Sequence, residues 1–156
     1  LDDLPLGQEG EPVDPDSIII LPVQVDLPMI PDYEPRPDDP FIQQVQRSGH
    51  KWVILCSPEE EPLLVLDADE FLRSAFLRGD KLEPYAACHR PIVIRNPKMN
   101  VGRVLRKLTV TQEGPEDDVI DMDLILLWTD TKRRVITGAD LLGYLLRGIV
   151  PKSTDD

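Results

Sequence analysis

The sequence predicts an α/β protein built from two copies of one unit, related by internal pseudo-two-fold symmetry. Three observations predict it. Short apolar, β-branched runs alternate with segments whose leucines recur at helical spacing. The order extended segment, helix, strand, turn, strand, helix occurs twice within 156 residues. Three pieces of the first copy also match three of the second: Arg36–Phe41 faces Asn96–Val101, Lys51–Ser57 faces Asp123–Thr129, and Val65–Leu72 faces Val135–Leu142. The repeat is about 60–70 residues, larger than most solenoid units, and two copies suit a paired domain. We expect a flexible acidic lead over residues 1–16, a first repeat over 17–80, a second over 81–150 and a tail over 151–156.

Each element has a local reason. Ser17–Val25 is rich in β-branched residues and too short for an amphipathic helix, so it predicts a strand interrupted by Pro22. Leu27–Pro37 holds four prolines and must be extended. Asp39 and Pro40 then suit the cap and first position of a helix that buries Phe41, Ile42 and Val45 and stops at Gly49. Trp52–Cys56 is an apolar strand, Ser57–Pro62 a charged turn, Leu63–Leu66 a strand, and Asp67–Arg78 a helix stopped by Gly79. In the second copy, Pro91–Ile94 is a strand and Asn96-Pro97 opens a helix burying Val101, Val104, Leu105 and Leu108. Gln112–Asp118 is an acidic loop, followed by strands at Ile120–Trp128 and Arg133–Ile136 and a helix from Ala139 to Arg147.

Charge and composition exclude several functions. The formal net charge is −12, with 11 acidic side chains against one basic in residues 1–40 and 18 against 16 in the rest. No basic face is available for duplex nucleic acid. Cys56 and Cys88 lie beside apolar runs without ligand spacing, and predict reduced core thiols of a cytoplasmic protein, with a single disulfide between them as the alternative. No apolar run approaches the roughly 20 residues of a membrane span. The chain opens Leu1-Asp-Asp, without a basic leader or initiator Met, and is read as lacking a signal peptide and as a piece of a longer protein.

The second copy ends in Val135-Ile136-Thr137-Gly138-Ala139-Asp140-Leu141-Leu142. Thr137 can cap the helix and Asp140 falls in its first turn, where a carboxylate complements the helix dipole. With the tandem strand–helix–strand–strand–helix order, this Thr-x-x-Asp corner resembles the cystathionine-β-synthase (CBS) domain family, and Ile18–Val150 is similar to a CBS pair, or Bateman module. The resemblance implies a non-catalytic regulatory module binding an adenosine nucleotide (AMP, ADP or ATP, with or without Mg²⁺). It places Asp140 at the ribose hydroxyls and Thr137 near phosphate. The backbone of Arg90, Pro91 and Ile92 would border the base, and Arg133, with Lys132 and Arg134, would neutralise phosphate. It further implies a homodimer and an attached membrane-transporter domain, such as those of CorB/CorC/CNNM-like magnesium and cobalt transporters. A ligand-free structural or dimerisation module is the alternative, since a helix cap selects the same residue types as Thr137 and Asp140.

The first copy carries Asp67 and Glu70 where Thr and Asp would stand, and Asp69 adds a third acid. Three carboxylates repel a polyphosphate, so at most one nucleotide site is expected. No metal site is expected: Asp117, Asp118, Asp121 and Asp123 lack calcium-loop spacing, and Glu59–Glu61 reads as a solvated turn. His50 and His89 each stand just before a strand and are read as boundary residues rather than ligands. Nucleophile–His–acid, phosphate-loop, dinucleotide and zinc motifs are absent, which disfavours an enzyme.

Overall fold

A computed structural model describes residues 9–78, 83–96, 98–100, 102–104, 106 and 121–149 of the chain. In chain order the strands are β1 (Glu11–Pro12), β2 (Ile18–Ile20), β3 (Val23–Gln24), β4 (Leu27–Pro28), β5 (Trp52–Cys56), β6 (Pro62–Asp67), β7 (Cys88–Ile94), β8 (Asp121–Trp128) and β9 (Arg133–Thr137). The α-helices with described bounds are α1 (Pro40–Ser48), α2 (Ala68–Arg78) and α3 (Gly138–Ile149). The fold is mixed α/β, as the sequence predicts. Expectations placed on Gly79, Val101, Leu105, Leu108 and the Gln112–Asp118 loop lie outside the described residues.

The chain forms two compact units, the first within Val13–Pro91 and the second from residues up to Pro12, from Ile92 and from Met122 onward. The chain therefore leaves the first unit inside β7. Pairing explains why: His89 stands opposite Val65 and Cys88 opposite Leu66, so the start of β7 belongs to the β6 edge.

In the first unit β2 runs parallel to β5, and β5 antiparallel to β6. Pro22 breaks the first strand as expected, and the chain turns into the β3–β4 hairpin through Val25 and Asp26, both at positive φ. Helix α1 begins where its sequence dictates. The Asp39 carboxylate accepts hydrogen bonds from the N–H groups of Phe41 (2.9 Å) and Ile42 (3.1 Å), Pro40 fills the first helical position, and Gly49 closes the helix at φ 65°. Phe41, Ile42 and Val45 point inward with Val53, Leu55, Leu64, Leu66 and Phe71. Phe71 packs on Tyr33 and edge-on to Phe41, with ring centroids 5.1 and 5.7 Å apart.

In the second unit β8 pairs antiparallel with β9, and Ile94, Val104, Ile125, Leu127, Ile136 and Leu141 form its core. The two ribbons share one register. Trp52 opposes Asp67, Val53 opposes Leu66 and Ile54 opposes Val65; correspondingly Leu124 opposes Thr137, Ile125 opposes Ile136 and Leu126 opposes Val135. These are the same matches made from the sequence alone. A bulge between Leu55 and Cys56 is where the two ribbons diverge.

Part of the expected flexible lead is built into the structure. Glu11 and Pro12 pair with Val135 and Arg134 of β9. The Arg134 guanidinium donates to the carbonyls of Glu9 (2.7 Å) and Gly10 (2.8 Å), and Arg147 donates to the Glu9 carboxylate at 2.7 Å. Pro15–Ser17 forms a 3₁₀ turn, and Asp14 bonds His50 Nε2 at 2.6 Å. Among the described residues no helix is long and apolar enough to cross a membrane.

Candidate functional site

Strand β9 ends at Thr137 and α3 starts at Gly138, so the Thr-x-x-Asp motif lies across a strand–helix corner. Its two side chains are joined reciprocally. The Asp140 N–H donates to Thr137 Oγ1 at 3.1 Å, and the Thr137 N–H donates to Asp140 Oδ2 at 3.0 Å. This is a capping box with Asp in the place of Glu, and it satisfies two backbone donors at the helix start. The cap engages one carboxylate oxygen of Asp140, while a carboxylate offers acceptor positions on both. Gly138 and Ala139 are exposed, and a Cβ built on Gly138 meets nothing within 4 Å. The corner is thus open on its Gly138 side and exposes the start of a 12-residue helix.

The two arginines expected beside it have other partners. The Arg133 guanidinium lies 4.0 Å from the Trp128 ring centroid and its Nε donates to the Thr129 carbonyl at 3.2 Å. Arg134 holds the N-terminal segment described above. Lys132 is exposed at the β8–β9 turn, where its carbonyl accepts from the Thr129 N–H and hydroxyl. Ile92 belongs to the second unit and packs half-buried on its core. Arg90 and Pro91 belong to the first unit, Arg90 half-buried and Pro91 buried. Of the six residues named from the sequence, Thr137 and Asp140 are the pair that the structure joins directly.

Glu9 was not legible as part of this region. Its side chain is 14% exposed, and its carboxylate is ion-paired with Arg147. Burial raises the pKa of Tyr144 above its ordinary value, with Glu9 adding to the rise and Arg147 opposing it. No local pattern announces a contact between residues so far apart in sequence.

The matching corner in the first unit is different in kind. Asp67 Oδ1 accepts the Glu70 N–H at 3.0 Å, and Asp67 Oδ2 lies 3.8 Å from Lys51 Nζ. A cavity of about 510 Å³ opens here, lined by Lys51, Asp67, Asp69, Glu70, Arg73, Ser74 and Leu77. His89, read from the sequence as a boundary residue, joins this corner: donor atoms of Asp67, Glu70 and His89 all lie within 4.8 Å of one another. The Trp52 ring packs edge-on to His89 at 5.8 Å. Only the β6–β7 register brings His89 here, so sequence spacing gave no sign of it. The neighbouring Cys88 is buried and reduced, as is Cys56. Burial, with the Glu70 charge adding, pushes the Cys88 thiol up to about 12 and makes it inert,.

No family model matches the chain, and no curated protein matches it. Among solved structures it is similar to a CBS-domain pair with bound AMP from Klebsiella pneumoniae, at 13% identity and TM-score 0.49, over 92% of this chain and 98% of that one. It is also similar to a CBS domain protein from Shewanella oneidensis MR-1, at 15% identity and TM-score 0.42, over 67% and 77% of the two chains. A third similar structure is the CBS domain of a CBS domain containing membrane protein from Sphaerobacter thermophilus, at 13% identity and TM-score 0.42, over 86% and 88%.

Proposed function

We propose that this chain is a CBS-type regulatory pair that binds an adenosine nucleotide at the β9–α3 corner and does no chemistry of its own. The observation that carries this reading is the shared register of the two β-ribbons, each running into a helix whose start is capped by the ribbon's last residue. Such duplication is what the CBS resemblance requires, and the second copy keeps its Thr-x-x-Asp. There Asp140 receives the ribose hydroxyls on its second oxygen, while the α3 N-terminus and the Thr137 hydroxyl favour phosphate. Ile92, in the same unit, borders the base, and Arg133 turns from Trp128 toward phosphate in the bound state. In this reading the module is cytoplasmic, works as a homodimer and reports nucleotide occupancy to an attached divalent-cation transporter. Occupancy has an effect only through different affinities for two arrangements of the module.

The test is a melting titration with AMP, ADP and ATP, each with and without Mg²⁺. A nucleotide at 100 times its dissociation constant should add about 2.7 kcal/mol of stability. Asp140→Ala should abolish that gain. No response to any adenosine compound removes the reading, and an unchanged response in the variant removes the site.

The ligand-free dimerisation module has its own support. Thr137 and Asp140 already serve as a reciprocal cap, and Leu142 and Leu146 of α3 are 58% and 51% exposed. A dimer by light scattering, disrupted by Leu142→Glu and indifferent to nucleotide, would favour it.

A further inference from the structure

We propose that Asp67, Glu70 and His89 form a site for a divalent transition ion of the Zn²⁺, Co²⁺ or Ni²⁺ type, opening onto the cavity at the β6–α2 corner. Strand pairing sets two of the three ligands. Trp52 stands opposite Asp67 and Val65 opposite His89. Directly opposed residues share a face, as do residues two apart on one strand. Trp52, Val65, Asp67 and His89 therefore point to the same side of the β5–β6–β7 strands. Glu70 stands on the first turn of α2, fixed to Asp67 by its own N–H.

The donor chemistry is mixed rather than merely acidic. Two carboxylates match the charge of a dication, and an imidazole favours a borderline transition ion over Mg²⁺ or Ca²⁺, which prefer all-oxygen sites. Donor atoms bound to one ion at about 2.1 Å stand roughly 3.4 Å apart. The three donors lie within 4.8 Å of each other, and Glu70 is exposed, so its side-chain torsions can close the gap. Three protein ligands leave coordination positions open. Asp67 and Glu70 also line the 510 Å³ cavity, so the site opens onto solvent beside Arg73 and Ser74.

Lys51 is one group that an ion must displace. Its ammonium lies 3.8 Å from Asp67 Oδ2 and its side chain is 46% exposed. It also lies 5.0 Å from the Trp52 ring centroid, a second place for its charge once Asp67 is taken. The site shares no residue with the Thr137–Asp140 corner, so it stands whether or not that corner binds nucleotide.

The experiment uses the tag-free chain, without nucleotide. Zn²⁺ is titrated calorimetrically, and Ni²⁺ by quenching of tryptophan emission, since Trp52 packs on His89. We expect one saturable ion per chain, quenching that Zn²⁺ reverses, and no competition from millimolar Mg²⁺. Glu70→Ala and His89→Gln should each weaken binding by about tenfold or more. Absence of saturable binding, or wild-type affinity in Glu70→Ala, overturns the site. Glu70 is exposed, so that variant decides the matter even if His89→Gln fails to fold.

Discussion

At the scale of single residues, Asp39 shows how a side chain converts sequence into a helix boundary. It is 7% exposed, and its carboxylate accepts the N–H of Glu34 at 2.9 Å besides those of Phe41 and Ile42. Burial alone would raise its pKa. The backbone N–H donors, helped by Arg36, outweigh burial and hold the carboxyl below its ordinary value. Asp39→Ala should therefore cost about 1–2 kcal/mol in urea unfolding at neutral pH. A depressed folded-state pKa gives stability that is complete above the unfolded value near 4. That stability is lost as pH falls through the folded value. Below that range wild type and variant should converge, and a gap that persists there would mean the side chain acts through packing instead.

At the scale of elements, the β3–β4 hairpin and β1 carry opposite lessons about positive φ. Val25 and Asp26 form a two-residue turn at φ 50° and 64°, and Val25 is 90% exposed. A β-branched residue pays for that conformation with strain and gains no burial. Val25→Asn should stabilise the chain by about 0.5–1 kcal/mol, read from its urea midpoint. Gly10 is the reverse case. At φ 76° it lies so close to β9 that a Cβ would overlap the Val135 carbonyl oxygen. Gly10→Ala should release β1, and hydrogen exchange along β9 should rise with it. Unchanged protection would show that Arg134 and Glu9 alone hold the segment.

At the scale of the whole molecule, each unit stands on its own core. In the first, Phe71 is fully buried among Tyr33 and Phe41 and bridges α2 to α1. Truncating it to Ala should cost about 3–5 kcal/mol by circular dichroism in urea, the range for a large core aromatic. A loss below 1 kcal/mol would mean the site collapses without a cavity. The fold was largely legible because most of its signals are local. Asp39-Pro40 and Gly49 bound α1, the β-branched run marks β2, and Pro22 breaks it where predicted. The candidate corner was legible for the same reason: Thr137 and Asp140 are three residues apart, within one helical turn.

The set of elements and their duplication follow from local signals in the chain. Periodicity, caps and turn residues act within a few positions, and two similar stretches take the same ribbon register. Which distant residues meet is settled on folding. The tertiary structure placed β1 on β9, with Glu9 against Arg147. It put the departure from the first unit inside β7, and it set His89 beside Asp67 and Glu70. Strand pairing is a long-range choice, fixed by which edges and faces can be buried together, and no local pattern encodes its partner.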